Sequence, residues 1–280
     1  MNNHPIKDQR QQQLQAYHAQ HMHSGQECYF VLEGKELAVR SEIRHWVDVH
    51  HDKIAAMLAL QPSDRFVDLG CGEGYFTLRL ARRAGKCLGF DFTAAPLEVL
   101  RNQQVFDPQK VYLALASGDR LPLPASYADK LLCNHVLEHV IDDDAVMQEI
   151  FRVLRPHGLA VIGIPQTFSP QTRLLIQLRR RMMPKARELQ LERAAPGELI
   201  PELIGKQSHI RFYSLQAVES LLERNGFEIL QAQGIGLSLR GNLHKVFRRN
   251  YVLFHLSTFL GNYLPSLGDG LLVLARKRLK

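Results

Sequence analysis

Residues 66–74 read Phe66-Val67-Asp68-Leu69-Gly70-Cys71-Gly72-Glu73-Gly74. A short apolar run ends in a turn with three alternating glycines, and an amphipathic stretch from Tyr75 to Ala84 follows. The pattern predicts a buried strand passing into a helix. Glycine tolerates positive φ and lets backbone N–H groups approach a ligand, and the start of a helix favours negative charge. A dinucleotide binder spaces its glycines as GxGxxG to admit a pyrophosphate. Here Tyr75 occupies the place of the third glycine, and the GxGxG spacing opposes a nicotinamide cofactor. A second strand, Lys86 to Asp91, ends in a carboxylate about 20 residues beyond Gly70, the separation at which such a group accepts ribose hydroxyls.

Working outward, the strand–helix rhythm continues. Strands are expected at 65–69, 86–91, 111–115, 129–134 and 159–164, with helices at 75–84, 95–104 and 142–154 between them. Arg155-Pro156-His157-Gly158 stops the last helix. After a break, a helix at 214–225 and strands at 227–232 and 270–275 complete the series. Such alternation predicts an α/β fold: a Rossmann-like, doubly wound, mostly parallel seven-stranded sheet. Its ligand belongs beyond the carboxyl ends of the strands, at the switch point. The expected organisation is a flexible polar tail over 1–25, a helical N-terminal lid over 26–60, and a ligand-binding core over 61–165. A basic helical insertion over 166–209 then walls an acceptor pocket, and residues 210–280 complete the sheet, with an amphipathic segment at 243–264.

The nonapeptide resembles the first motif of the class I S-adenosylmethionine-dependent methyltransferases, and Gly89-Phe90-Asp91-Phe92-Thr93 resembles the second. Leu121-Pro122-Leu123-Pro124 through Asp129 to Asn134, then His135-Val136-Leu137-Glu138-His139-Val140, looks like the fourth-strand region of the small-molecule subgroup that includes ubiquinone-biosynthesis enzymes. Glu149 to Gly158 resembles its next helix and turn, and His209 to Ser214 with Leu222 to Phe227 resembles the return to the sheet. The resemblance implies S-adenosylmethionine as cofactor. It implies that Asp68 holds the methionine ammonium, that Gly70, Cys71, Gly72, Gly74 and Tyr75 border the cofactor, and that Asp91 accepts the ribose hydroxyls beside Phe92. It puts Asn134 and His135 under the sulfonium. The usual acid four residues before Leu121 is Ser117 here, so Asp119 takes over the adenine amino group; His157 replaces a usual glycine in a turn away from the chemistry.

If the methyl acceptor is a hydroxyl, a base must lie within hydrogen-bond reach of it. His135 is the first candidate and His209 the next, with His139 and Tyr213 behind them; each has an alternative as a structural hydrogen-bonding group. His135-x-x-Glu138-His139 matches the inverted zinc-peptidase pattern, but that pattern needs a helix, and here it follows a buried strand. No metal is therefore assigned; a divalent ion at Glu138 and His139 assisting a catechol-like substrate is the lesser alternative. Asp142, Asp143 and Asp144 read as helix caps.

Composition is that of an ordinary globular protein: 280 residues, 45% hydrophobic and 22% charged, with a net charge of +7. No apolar leader and no membrane span is expected, which suits a cytoplasmic protein. Cys28, Cys71, Cys87 and Cys133 lack zinc spacing and read as reduced thiols. Arg173, Arg179, Arg180, Arg181, Lys185, Arg187 and Arg193 face only Glu188 and Glu192 across 166–194, and Arg240, Lys245, Arg248 and Arg249 form a second basic run. Together with the aromatics of 243–264 they suggest a small-molecule or lipid-linked acceptor and peripheral contact with an anionic membrane. The rival for 243–264 is packing against the sheet or against a second subunit, leaving monomer and homodimer both open. A cofactor-binding scaffold without catalysis and an RNA methyltransferase are the alternatives; the absence of an Asn/Asp-Pro-Pro-Tyr/Phe box argues against nucleic acid.

Overall fold

The computed structural model describes residues 4–21, 30–33, 36–39, 44–166, 169, 170, 174, 177, 181, 195–206, 209–236 and 250–279. Helix α1 (His4–His21) leads into a hairpin, β1 (Phe30–Glu33) with β2 (Glu36–Val39), and then α2 (Arg44–Leu58). The alternating core is β3 (Arg65–Leu69), α3 (Tyr75–Ala81), β4 (Lys86–Asp91), α4 (Ala94–Arg101), β5 (Val111–Leu115), β6 (Ala128–Asn134), α5 (Asp143–Val153) and β7 (Leu154–Pro165). Helix α6 (Leu215–Arg224), β8 (Phe227–Ile235), α7 (Tyr251–Tyr263) and β9 (Gly270–Lys277) follow.

The seven strands order as β5-β4-β3-β6-β7-β9-β8, with β9 antiparallel to both neighbours and the pairs from β5 to β7 parallel. The expected Rossmann-like sheet is present, and all seven strands lie where the apolar runs put them. Alternation explains why both faces are covered. Phe66 and Leu132 pack with Ile54 and Leu58 of α2, Leu80 of α3 and Leu100 of α4. Val67 and Leu131 face Met147 and Ile150 of α5 and Val218 and Leu222 of α6. Each such side chain is buried, worth roughly 1.5–3 kcal/mol relative to exposure. Chain order reverses between β3 and β6, so the two helix layers diverge there and leave a crevice at the strand ends.

Three expectations need correction. The stretch read as a flexible tail contains α1, whose Leu14 is buried against Leu203, Ile204 and Ile210. The stretch read as a purely helical lid begins with the β1–β2 hairpin; Phe30 to Glu33 and Glu36 to Val39 flank Gly34-Lys35, a two-residue turn signal that outweighs the helical spacing of Leu37 and Ile43. Five large apolar residues of α7, Val252, Leu256, Phe259, Leu260 and Tyr263, are exposed rather than packed on the sheet. Small residues dock it instead: Gly261 lies so close to β8 that a Cβ would meet the Gly234 carbonyl oxygen at 2.7 Å, and Thr258 Oγ1 accepts from the Gly236 N–H. The basic run at 240–249 and most of 166–194 lie outside the described residues.

Candidate cofactor and acceptor site

The glycine turn lies where β3 ends. Gly70, Gly72 and Gly74 all have positive φ, at 74°, 49° and 86°. The Gly70 and Cys71 N–H groups donate to the Phe90 carbonyl at 2.7 and 3.0 Å, so the turn is tied to the neighbouring strand rather than to the crevice. A Cβ on Gly70 would come within 2.2 Å of Val136, and one on Gly74 within 2.4 Å of Leu100. Beside Gly72 there is only open space: it faces the cavity.

Asp91, at the tip of β4, is held from three sides. Gly72 N–H donates to Oδ2 at 3.0 Å, while the Thr93 N–H and hydroxyl donate to Oδ1 at 2.9 and 2.7 Å. Two carboxylate oxygens offer about four lone-pair positions, so the oriented group keeps capacity for a further donor. Phe92 and Asp91 both line the cavity, as do Gly70, Asp119 and His135. At the opposite end Asp119 accepts from the Ser117 hydroxyl, which itself accepts from Gln11 Nε2 at 3.0 Å. Gln11 and Leu14 thereby bring α1 over the crevice.

Cys71, Gly74, Tyr75, Asn134 and Asp68 are not among the residues lining this cavity. Asp68 is buried behind the turn, where Thr77 Oγ1 of α3 donates to it at 2.6 Å; burial, reinforced by Asp91, pushes its carboxyl up to about 7. Tyr75 donates to Asp48 of α2. Cys71, Cys87 and Cys133 are free, and burial drives their thiols well above the ordinary range. Asn134 accepts from His50 Nε2 at 3.0 Å, and the absence of a side chain at Gly163 makes room for its amide.

After Asn134 the chain makes a sharp turn. His135 adopts φ of 56°, unusual for a non-glycine residue and typical of sites where surrounding structure fixes the backbone. Its Nδ1 is 3.0 Å from Glu138 Oε1, and its Nε2 has no partner among the described residues. Glu138 is fully buried. Burial opposes its charge, but the His135 hydrogen bond and the nearby His139 and His209 outweigh that and hold it at about 2. An ionised Glu138 can only accept at this contact, so Nδ1 is the donor. His139 also lines the cavity, and its ring centroid lies 5.0 Å from that of His209. Tyr213 stays apart: its hydroxyl, buried in the core, donates to Asp143 at 2.9 Å and contacts the Leu137 carbonyl at 3.3 Å. It is a structural group, not one facing the cavity. Asp142 caps α5 as expected, accepting from Ala145 N–H.

Sequence reading missed Gln11, Leu14, Thr93, Trp46 and His50. His50 had a legible signal: with Trp46, Val47 and Ile54 it falls on one helical face of α2. It is buried between Trp46, Phe76 and His135 at ring-centroid distances of 4.9, 5.5 and 5.6 Å. Burial and the neighbouring His135 hold it well below the ordinary histidine range.

Residues 67–162 match a family described as a methyltransferase domain. They form a class I S-adenosylmethionine-dependent methyltransferase domain, the class whose cofactor is S-adenosylmethionine. Among curated relatives, the 2-phytyl-1,4-naphtoquinone methyltransferase of Thermosynechococcus vestitus is 38% identical over 117 residues, covering 40% of this chain and 49% of that protein. The ubiquinone biosynthesis O-methyltransferase of Histophilus somni is 32% identical over 111 residues, covering 38% and 47%. The chain thus spans about half the length of these relatives. Among solved structures, an S-adenosylmethionine-dependent methyltransferase from Mesorhizobium loti shares 19% identity at a TM-score of 0.55, covering 81% of this chain and 96% of its own. The [4+2]-cyclase SpnF shares 16% at 0.57, covering 98% and 95%. At such identities these two establish the fold alone.

Proposed function

We propose that this chain transfers the methyl group of S-adenosylmethionine to a hydroxyl of a small amphiphilic acceptor. The observation that carries the reading is the convergence, in one crevice, of the glycine turn, the oriented Asp91 and His135, whose buried Nε2 has no partner among the described residues. Asp91 accepts the ribose hydroxyls, and Asp119 takes the adenine amino group. The sulfonium is an activated donor, so the protein's task is alignment and exclusion of water. Alignment of that kind contributes on the order of 7–11 kcal/mol. His135 Nε2 removes the acceptor proton, while Glu138 fixes the tautomer through Nδ1. S-adenosylmethionine, when bound, would supply the methyl group to the acceptor oxygen, the C–S electron pair staying on sulfur in S-adenosylhomocysteine. His209 and His139 remain lesser candidates for the base.

An amphiphilic acceptor is supported by α7, which exposes Val252, Leu256, Phe259, Leu260 and Tyr263 as one stripe. A contiguous apolar surface of this sort marks an interaction site. The preceding sequence is basic, so an anionic membrane surface suits it. No helix among the described residues is long and apolar enough to cross a membrane. The test is formation of S-adenosylhomocysteine against a panel of quinols, phenols and fatty hydroxy acids. Turnover that falls by about a hundredfold or more in His135→Ala, measured at saturating S-adenosylmethionine, is the expected result. Cofactor binding without turnover of any acceptor would favour a non-transferring module.

A further inference from the structure

Beneath the wall of the same crevice lies a group of side chains that the methyl-transfer reading uses only in part. Glu138, His139 and His209 each offer one ligand atom, and these atoms lie within 4.8 Å of one another. His139 Nε2 is 3.8 Å from Glu138 Oε1. Donors about 2.0–2.2 Å from one ion lie up to about 4.4 Å apart, so a small rotation of these side chains brings the Glu138 carboxylate and both imidazoles onto one centre. The three residues come from different places: Glu138 and His139 from the turn after β6, His209 from the segment returning to the sheet. The backbone ties the two together, since Ile210 N–H donates to the Glu138 carbonyl at 2.9 Å.

A second observation points to a ligand. Glu138 Oε2 is fully buried and accepts no hydrogen bond among the described residues. A buried carboxylate oxygen without a partner is costly, and an ion is one of the few things that removes the cost. Oε1 is already engaged by His135, so the residue can orient that imidazole through one oxygen and bind a cation through the other.

We infer that Glu138, His139 and His209 form a binding site for a divalent first-row transition metal such as Zn²⁺, with coordination positions open toward the acceptor end of the crevice. Two imidazoles and one carboxylate suit Zn²⁺, Co²⁺ or Fe²⁺ better than Mg²⁺ or Ca²⁺, which prefer all-oxygen shells. Three protein ligands leave room for the acceptor, as in catalytic rather than structural metal sites. His139 is both a ligand and a cavity-lining residue, so an ion there adjoins the space where the acceptor sits. This part of the inference rests on the methyl-transfer reading. The ion would receive the acceptor oxygen and favour its deprotonation, the proton passing to His135 or solvent, and it would select acceptors with two adjacent oxygens.

The experiment is titration of the EDTA-treated, dialysed full-length chain with Co²⁺, followed by visible d–d absorption and calorimetry, then competition by Zn²⁺. Saturable binding of one equivalent is expected, weakened by about tenfold or more in His209→Ala and in His139→Asn. S-adenosylmethionine affinity, measured on the same samples, should persist in His209→Ala, because His209 does not line the cofactor cavity. If that variant fails to fold, His209→Asn replaces it. Absence of saturable Co²⁺ binding would overturn the inference. So would binding undiminished by the substitutions, which would place the ion elsewhere, as on His18, His21 and His23. Neither result touches the methyl-transfer reading, which fails only if the cofactor itself does not bind or no acceptor is turned over.

Discussion

Gly70 and Asp68, two residues apart, show how tightly the cofactor turn is specified. A side chain at Gly70 would combine a left-handed backbone with a Cβ 2.2 Å from Val136. Strain of this kind costs on the order of 1–3 kcal/mol, so Gly70→Ala should lower the urea midpoint and weaken S-adenosylmethionine binding. An unchanged midpoint would mean that the turn relaxes freely. Asp68 makes a pH prediction. Its carboxyl titrates at about 7 in the folded protein against about 4 in an unfolded chain. Between those values the folded state holds more protons, so the group's contribution to stability is present at low pH and lost as pH rises. The loss is on the order of 4 kcal/mol at most. Asp68→Asn removes the titration and keeps an acceptor for Thr77. Urea unfolding should therefore show the variant gaining on wild type from pH 5 to pH 8; parallel profiles would contradict it. At this scale much was legible. Asp91, the glycines and His135 follow from spacing and resemblance. What sequence does not report is that Asp68 sits behind the turn, bonded to Thr77, because a carboxylate at a strand end looks the same whether it points into the crevice or away from it.

Among the elements, α1 and α7 carry the least expected features. Sequence gave α1 no amphipathic face, since Leu14 stands nearly alone among glutamines, and its docking depends on Leu203, Ile204 and Ile210 far along the chain. Local pattern cannot report such a contact. Because Gln11 and Leu14 border the crevice, removing residues 1–21 should speed cofactor dissociation while the far-ultraviolet spectrum of the sheet persists. Stopped-flow displacement measures this, and an unchanged off-rate would show that α1 is not a cover. Helix α7 was legible as apolar but not in its orientation, which Gly261 and Gly234 set by permitting close approach of its small face to β8. Phe259→Glu with Tyr263→Glu should abolish co-sedimentation with phosphatidylglycerol vesicles without shifting the melting temperature. Vesicle binding that survives would remove the membrane from the account; a dimer lost in the variant would identify a second copy as the occupant.

Over the whole molecule, the seven strands were readable because both faces of the sheet are buried and each strand is a compact apolar run. The order β5-β4-β3-β6-β7-β9-β8 then puts the tips of β3, β4 and β6 side by side, and with them the glycine turn, Asp91 and His135. Function in this account therefore rests on a cofactor held at the switch point. Calorimetric titration of the chain with S-adenosylmethionine, S-adenosylhomocysteine and NAD, repeated on Asp91→Ala, examines that claim most directly. Two ribose hydrogen bonds to a charged carboxylate are each worth about 1.5–3 kcal/mol. Micromolar binding of the two sulfur nucleosides is expected, weakened by about a hundredfold or more in Asp91→Ala, and none of NAD. Binding of NAD alone, or sulfur-nucleoside binding indifferent to Asp91, would contradict it.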